Sequence, residues 1–273
     1  MKLLFTTGIL LLSTTGYPQV LKSTVTSSFN LLNSYSRLNN DPFSFTFNTA
    51  ALAQQKNFAA GVYAENRFQL KETTLYRGVA NMPTQLGNFG IQVDHFGFKN
   101  YNENQLGAAY ARSLGESFDL GIQFNYFSYR VPSYSEASSV NFQIGAIARL
   151  TEQLNTGFQI YNPVGGYLSK EHEEKLASVY QFGISYEPSE NVIIHATVEK
   201  EEDRDLNVIA GLYYHFEKRF IGRVGVETLN SSPFGAIGIA FNDFRIDFAA
   251  SYHNQLGFSP GFMFIYNPVK RKE

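Results

Sequence analysis

The chain of 273 residues contains no cysteine and no tryptophan. Without cysteine there is no disulfide framework and no lipid-anchor thiol. Charge is also scarce: Asp, Glu, Lys and Arg make up 17% of the residues, against about a quarter in an ordinary soluble protein. The net charge of -2 supplies no electrostatic footprint for nucleic acid. Missing, too, is any second long apolar run: no window approaches roughly 18 consecutive apolar residues, which excludes a bundle of membrane-crossing helices. A membrane role must therefore be carried by strands.

What the chain has in plenty is aromatic side chains, 15% of the total, and 22 glycines. That mixture fits a β-rich protein. The first residues, "MKLLFTTGILLLSTTGYPQV", place Lys2 before an apolar stretch from Leu3 to Leu12 and the small residues Ser13 to Gly16. This is the outline of a secretory signal, too short to cross a bilayer as a helix, with cleavage expected between Thr14 and Gln19. A buried N-terminal strand is the alternative. The expected division is a signal peptide over 1-19, an N-terminal segment over 20-56 and a barrel over 57-273.

In "FDLGIQFNYFSYR", Phe118, Leu120, Ile122, Phe124 and Tyr126 alternate with Asp119, Gly121, Gln123 and Asn125. Period two makes this a strand with one apolar and one polar face. "VNFQIGAIARL" and "VYQFGISYE" repeat the pattern. Continued along the chain, it predicts fourteen strands centred near Val62, Leu75, Ile91, Ala109, Ile122, Ile144, Phe158, Phe182, Ala196, Ala210, Val224, Ile237, Ile246 and Phe264. Each is about ten residues long, enough for a tilted strand to cross an outer membrane, and the number is even.

The gaps alternate in length. Short ones fall at "SLGES", "TEQ", "PSEN", "EKR" and "ND"; longer ones fall at "VPSYSEASS", "NPVGGYLSKEHEEKLAS", "EKEEDRD", "NSSP" and "HNQLGFSP". Outer-membrane barrels have this rhythm, with brief periplasmic turns and longer external loops. The expected fold is all-β, a 14-stranded antiparallel transmembrane β-barrel in the bacterial outer membrane, Sec-exported and not a lipoprotein. Its apolar face meets lipid because hydrocarbon demands a closed backbone and apolar contacts. A lipocalin-like soluble barrel, with the apolar face inward, shares the alternation but normally has about 8 strands.

The opposite face carries Gln92, Asp94, Asp119, Gln123, Asn125, Gln159 and Gln181, together with Arg149, His195, His215, Arg223, Glu227, Arg245 and Asp247. The last seven are the candidate lumen or ligand residues, since rings of charge set pore selectivity. Salt-bridge packing inside a filled barrel is the plainer account of them. Ile147, Ile193, Ile209 and Phe127 share the inward parity, giving a mixed interior. Glycines recur there at Gly61, Gly90, Gly107, Gly121, Gly145, Gly157, Gly183, Gly211, Gly225 and Gly261, marking curvature, close approach or room for something inside.

Nothing points to catalysis. Inward Ser185 and Ser251 lack a G-x-S-x-G elbow, and the chain is read as no enzyme, without cofactor. "KEHEEKLA" has no H-E-x-x-H register and reads as a charged loop helix, while "EKEEDRD" lacks a calcium-loop glycine and reads as a solvated hairpin tip. No metal is expected.

"NNDPFSFTFNTAALA" stands before the first expected wall strand, and Asp41-Pro42 is a turn signal. "DPFSFTFNTAALA" resembles the N-terminal signature of the FadL-type outer-membrane proteins and their compact Bacteroidetes relatives of the PorV/PorQ kind. Asp41, Phe47, Asn48, Ala50 and Leu52 match it; Thr49 stands where the family has proline. The resemblance implies an N-terminal hatch folded inside a 14-stranded barrel, and it makes Asp41, Phe43, Phe45, Phe47 and Asn48 the hatch candidates. Without proline, the turn after Asn48 is expected to be less fixed.

Two functions follow as expectations. One is passage or binding of small hydrophobic or amphipathic molecules. The other is a non-transporting anchor whose rim binds secretion-machinery (type IX-like) or envelope proteins. Outer-membrane lipid is a partner in both.

Overall fold

The computed structural model describes residues 36, 38, 41-132, 135-169, 174-202, 204-217, 219-229 and 231-268. The expected signal peptide, and the 20-35 stretch after it, lie outside them. Sixteen strands follow in chain order: β1 (Ala59–Asn66), β2 (Thr74–Thr84), β3 (Gly87–Phe98), β4 (Tyr101–Ser113), β5 (Phe118–Val131), β6 (Ser135–Arg149), β7 (Leu154–Tyr161), β8 (Gly166–Ser169), β9 (Glu174–Leu176), β10 (Val179–Ser189), β11 (Val192–Glu201), β12 (Asn207–Phe216), β13 (Phe220–Glu227), β14 (Ser232–Phe241), β15 (Phe244–His253) and β16 (Gly257–Tyr266). Fourteen of them close one antiparallel barrel, each beside its chain neighbour, with β7 joined to β10 and β1 to β16. Every expected strand centre lies within one of these fourteen.

The seam is a regular ladder from Ala60↔Tyr266 to Glu65↔Gly261. Among the described residues one irregularity interrupts the wall, a register shift between Tyr186 and Ser189 in the β10–β11 pair. β1 begins and β16 ends on the same side of the barrel, here the terminal end; the β1–β2 connection lies at the distal end.

The two faces are reversed relative to a soluble core. Ile237 is 68% exposed and Phe248 63%, and Val62, Ile91, Phe124 and Phe182 also point outward, while Arg77, Asp94, Asp119, Gln123, Arg223 and Asp247 are buried within. An apolar exterior around a closed hydrogen-bonded sheet is what hydrocarbon solvation demands. The fold is a transmembrane β-barrel, and the lipocalin-like alternative is excluded by both its strand number and its inverted polarity.

Two local readings are corrected. Most of "VPSYSEASS" is strand, because β5 runs to Val131 and β6 resumes at Ser135; its polar residues extend the ladder beyond the apolar band. "KEHEEKLA" forms no helix in its described part. Its Glu174–Leu176 is β9, paired with β8, which satisfies backbone groups in a connection too long to cross bare. His172 lies outside the described residues.

Candidate functional site

Residues 41 to 55 lie inside the barrel as short 3-10 turns, Ser44–Thr46 and Thr49–Gln54, and not as a further wall strand. The local sequence explains this. Asp41 turns the chain through its own side chain, Phe43 N donating to Oδ1 at 2.9 Å and Ser44 N to the Asp41 carbonyl at 3.0 Å, a turn that aspartate favours. Asn48 then caps the second turn, its Oδ1 accepting from Ala50 N at 3.0 Å, a role for which asparagine ranks among the best residues.

The three phenylalanines are buried, Phe43 at 1%, Phe45 at 0% and Phe47 at 5% exposure. Phe43, Phe45 and Leu52 share a core with Leu75, Val79 and Met263 of the wall, whereas Phe47 packs on Ile209 and Phe234. Each full burial of this kind contributes about 1.5–3 kcal/mol.

Wall glycines make the space. A Cβ on Gly61 would lie 2.9 Å from Phe43 Cζ, and one on Gly90 would lie 3.1 Å from Leu52 and 3.2 Å from Phe45. On Gly121 it would fall 2.5 Å from the Thr49 carbonyl carbon, and on Gly145 2.8 Å from Thr49 N. Four inward glycines, on β1, β3, β5 and β6, thus form a cradle for the inner segment.

Amide side chains then tie the segment down. Asn48 Nδ2 donates to the carbonyls of Phe158 at 3.1 Å and Ala146 at 3.2 Å. Thr49 N donates to Gln159 Oε1 at 3.2 Å, while its hydroxyl accepts from Gln143 at 3.2 Å and Gln159 at 3.3 Å. Proline would have no N–H to give. Thr49 therefore meets its surroundings by hydrogen bonds in place of a locked dihedral. Asn88 Nδ2 caps the end of the segment, donating to the carbonyls of Leu52 and Gln55, each at 2.8 Å.

Charge is arranged as internal pairs. Arg245 Nη2 donates to Asp41 Oδ2 at 2.5 Å, Arg245 Nε approaches Asp247 Oδ2 at 3.0 Å, and Arg223 Nη2 donates to the same oxygen at 3.0 Å. Arg223 also lies 4.8 Å over the Tyr213 ring, and His215 packs on that ring with centroids 4.7 Å apart. Arg77 Nε pairs with Asp94 Oδ1 at 2.7 Å, and its Nη1 donates to Thr46 at 3.0 Å. Arg149 pairs with Asp119, whose Oδ2 also accepts from Gln54 at 2.7 Å.

Of the residues named from sequence, Asp41, Arg223, Arg245 and Asp247 come together, with His215 beside them. Arg149 serves a separate pair near the other end of the inner segment. Glu227 faces Asn207, which donates to it at 3.0 Å, toward the distal end. His195 stands on β11 directly opposite Ser185. Sequence reasoning did not single out Arg77, Asn88, Gln143 or Asn81, whose Nδ2 donates to the Pro42 carbonyl at 3.3 Å. Inward parity on β2, β3 and β6 was the available signal, and it was present at each of them.

Beyond the inner segment, a cavity of about 50 Å³ is lined by Thr46, Phe47, Arg77, Gln105, Gln143 and Gln181, among others. That is room for a few ordered waters and no more.

The geometry resembles solved channels. The barrel matches the toluene transporter TbuX of Ralstonia pickettii with a TM-score of 0.64 at 10% identity, covering 88% of this chain and 100% of that one. It matches the CymD monoaromatic hydrocarbon channel at 0.63 with 11% identity, covering 88% and 96%. A Pseudomonas aeruginosa FadL homologue follows at 0.57 with 12% identity, covering 84% and 94%. At these identities the likeness is one of fold. No family model matches the chain, and no curated protein sequence matches it.

Proposed function

We propose that this chain is a bacterial outer-membrane barrel that admits small hydrophobic or amphipathic molecules, with residues 41-55 as a movable plug. The carrying observation is the glycine cradle. At Gly61, Gly90, Gly121 and Gly145 the wall keeps its own side chains out of the bore, and the plug supplies the filling. Withdrawing the plug would therefore leave a passage, which a barrel filled by wall side chains would not. The fold shared with hydrocarbon channels supports this reading by analogy. The apolar exterior supports residence in the outer membrane, reached by export through a cleaved leader over 1-19. The brief end turns support the compact PorV/PorQ-like branch.

The packing of residues 41-55 inside the wall favours one other reading, an anchor whose rim binds secretion or envelope partners. One experiment separates the two. In liposomes, deletion of residues 23-53 should raise the leak of small apolar probes several-fold over the intact protein. A leak unchanged by the deletion, in protein that still shows heat-modifiable migration, would overturn gating and leave the anchor.

A further inference from the structure

We infer that a furrow on the lipid-facing side of β13 to β16 holds one acyl chain of a phospholipid as a lasting part of the folded barrel. The furrow has a volume of about 720 Å³. Gly222, Gly235, Ala250 and Pro260, one from each strand in turn, form its floor. Elsewhere outward positions carry large side chains such as Leu106, Phe124 and Phe182, so small residues on four adjoining strands leave a depression.

The register fixes its shape. Gly235 pairs with Ala250, and Ala250 with Pro260, so the three lie side by side. Ile237 and Phe248, paired with each other on the next outward row, stand up as one bank at 68% and 63% exposure, and Phe258 stands on the other. Gly222, diagonal to Gly235 across the β13–β14 pair, carries the floor on to β13. Four strands spaced about 4.8 Å apart give a furrow about 15 Å long. That matches one leaflet, half of a hydrocarbon core about 30 Å thick.

No charged side chain lines it. Arg223, Ala236 and Ala249 meet the furrow by their backbone, since their side chains are buried inward, and Arg223 is paired there with Asp247. The furrow is continuous with the apolar wall that faces the bilayer, so hydrocarbon is what covers it. A chain seated in a groove touches wall atoms on three sides where a convex surface offers one, and dispersion contacts add up with their number. Gly235, Ala250 and Pro260 each lie three residues from the distal ends of their strands, which places the headgroup at that end. The β13–β14 and β15–β16 connections there contain no lysine or arginine. A lipid with several phosphates would find no charge-assisted donor on them, whereas phosphatidylethanolamine carries its own ammonium beside its phosphate.

The test is native mass spectrometry of the full barrel, folded in vesicles of phosphatidylethanolamine and then extracted in mild detergent. The expected result is one phosphatidylethanolamine retained by most of the molecules. Gly222→Leu with Ala250→Leu fills the furrow, and a side chain on Gly222 meets nothing within 4 Å; the retained fraction should fall several-fold in this variant, or in Gly222→Leu alone if the pair fails to fold. Leu106→Phe, on the plain wall of β4, should leave it unchanged. Heat-modifiable migration establishes folding in each. Retention of no lipid by the unaltered protein, equal retention after filling, or an equal loss in Leu106→Phe would overturn the furrow as a lipid site. A doubled mass that disappears on filling, with no lipid bound, would overturn it in favour of a second copy of this chain.

Discussion

Asp41 of the inner segment and Arg245 of β15 are joined by a 2.5 Å hydrogen-bonded ion pair, with the Arg245 side chain 11% and that of Asp41 1% exposed. The two are far apart in sequence, and their pairing fixes the start of the plug against the terminal end of the wall. Removing one member of a buried pair leaves an uncompensated charge, at a cost of about 3–5 kcal/mol. Arg245 retains Asp247, so Asp41→Asn is expected at the low end, about 3 kcal/mol of plug docking. Liposome leak should rise in this variant while the barrel still migrates as folded; a leak equal to that of the unaltered protein would remove Asp41 from the latch.

The glycine cradle is tested by a matched pair. Gly121→Ala places a methyl 2.5 Å from the Thr49 carbonyl carbon and 2.7 Å from Ala50 N, and overpacking of this kind costs about 1–3 kcal/mol. Gly222→Ala points outward with nothing within 4 Å, and its effect should lie within about 0.5 kcal/mol. Urea unfolding in lipid vesicles should separate them, and equal midpoints would contradict the close approach.

Thr49→Pro asks whether hydrogen bonds replaced the locked dihedral. Asn48 is already extended at φ −133 and ψ 112, the region that a residue before proline favours, and proline suits a first helical position. The backbone therefore accepts the change. What is lost is the bond from Thr49 N to Gln159 and the hydroxyl that receives Gln143 and Gln159, at about 1–3 kcal/mol for each buried group left unpaired. Hydrogen exchange over residues 48-54 should quicken in Thr49→Pro and stay unchanged in Thr49→Ser.

The outward face has its own test. Ile237→Arg, at a position 68% exposed, would be almost silent in a water-soluble barrel. In a bilayer, arginine near the midplane costs about 2–4 kcal/mol. Folding titrations in vesicles that show no loss would argue against lipid contact at β14.

The wall was legible in the sequence because period two has one physical meaning at a lipid boundary: side chains at Phe118, Leu120 and Ile122 must differ from those at Asp119, Gly121 and Gln123. The plug was harder to read. Phe43, Phe45 and Phe47 also alternate, yet they form 3-10 turns, since Asp41 and Asn48 spend their side chains on local backbone groups and no neighbouring strand is left to pair with them. Partner choice among inward charges was not legible. Parity places Arg223, Arg245 and Asp247 on one face, but their convergence on a shared oxygen depends on the stagger of three strands, and the pairing with Asp41 on a segment outside the sheet. Arg77 escaped notice because β2 carries Leu75 and Val79 on the same inward face, so its polar residues stand among apolar ones that serve the plug.

The seam between β1 and β16 carries a final consequence, for the order in which the molecule is put together. The strand that opens the wall must wait for the strand that ends it, so the sheet stays an open, curling ribbon until its last strand arrives. The segment before β1 is covalently fixed to the waiting edge, and Asn57 Nδ2 reaches across to the Pro268 carbonyl at 2.7 Å just beneath the join. The inner segment is thus joined to one of the two edges that meet at the seam, and the closed seam encloses it.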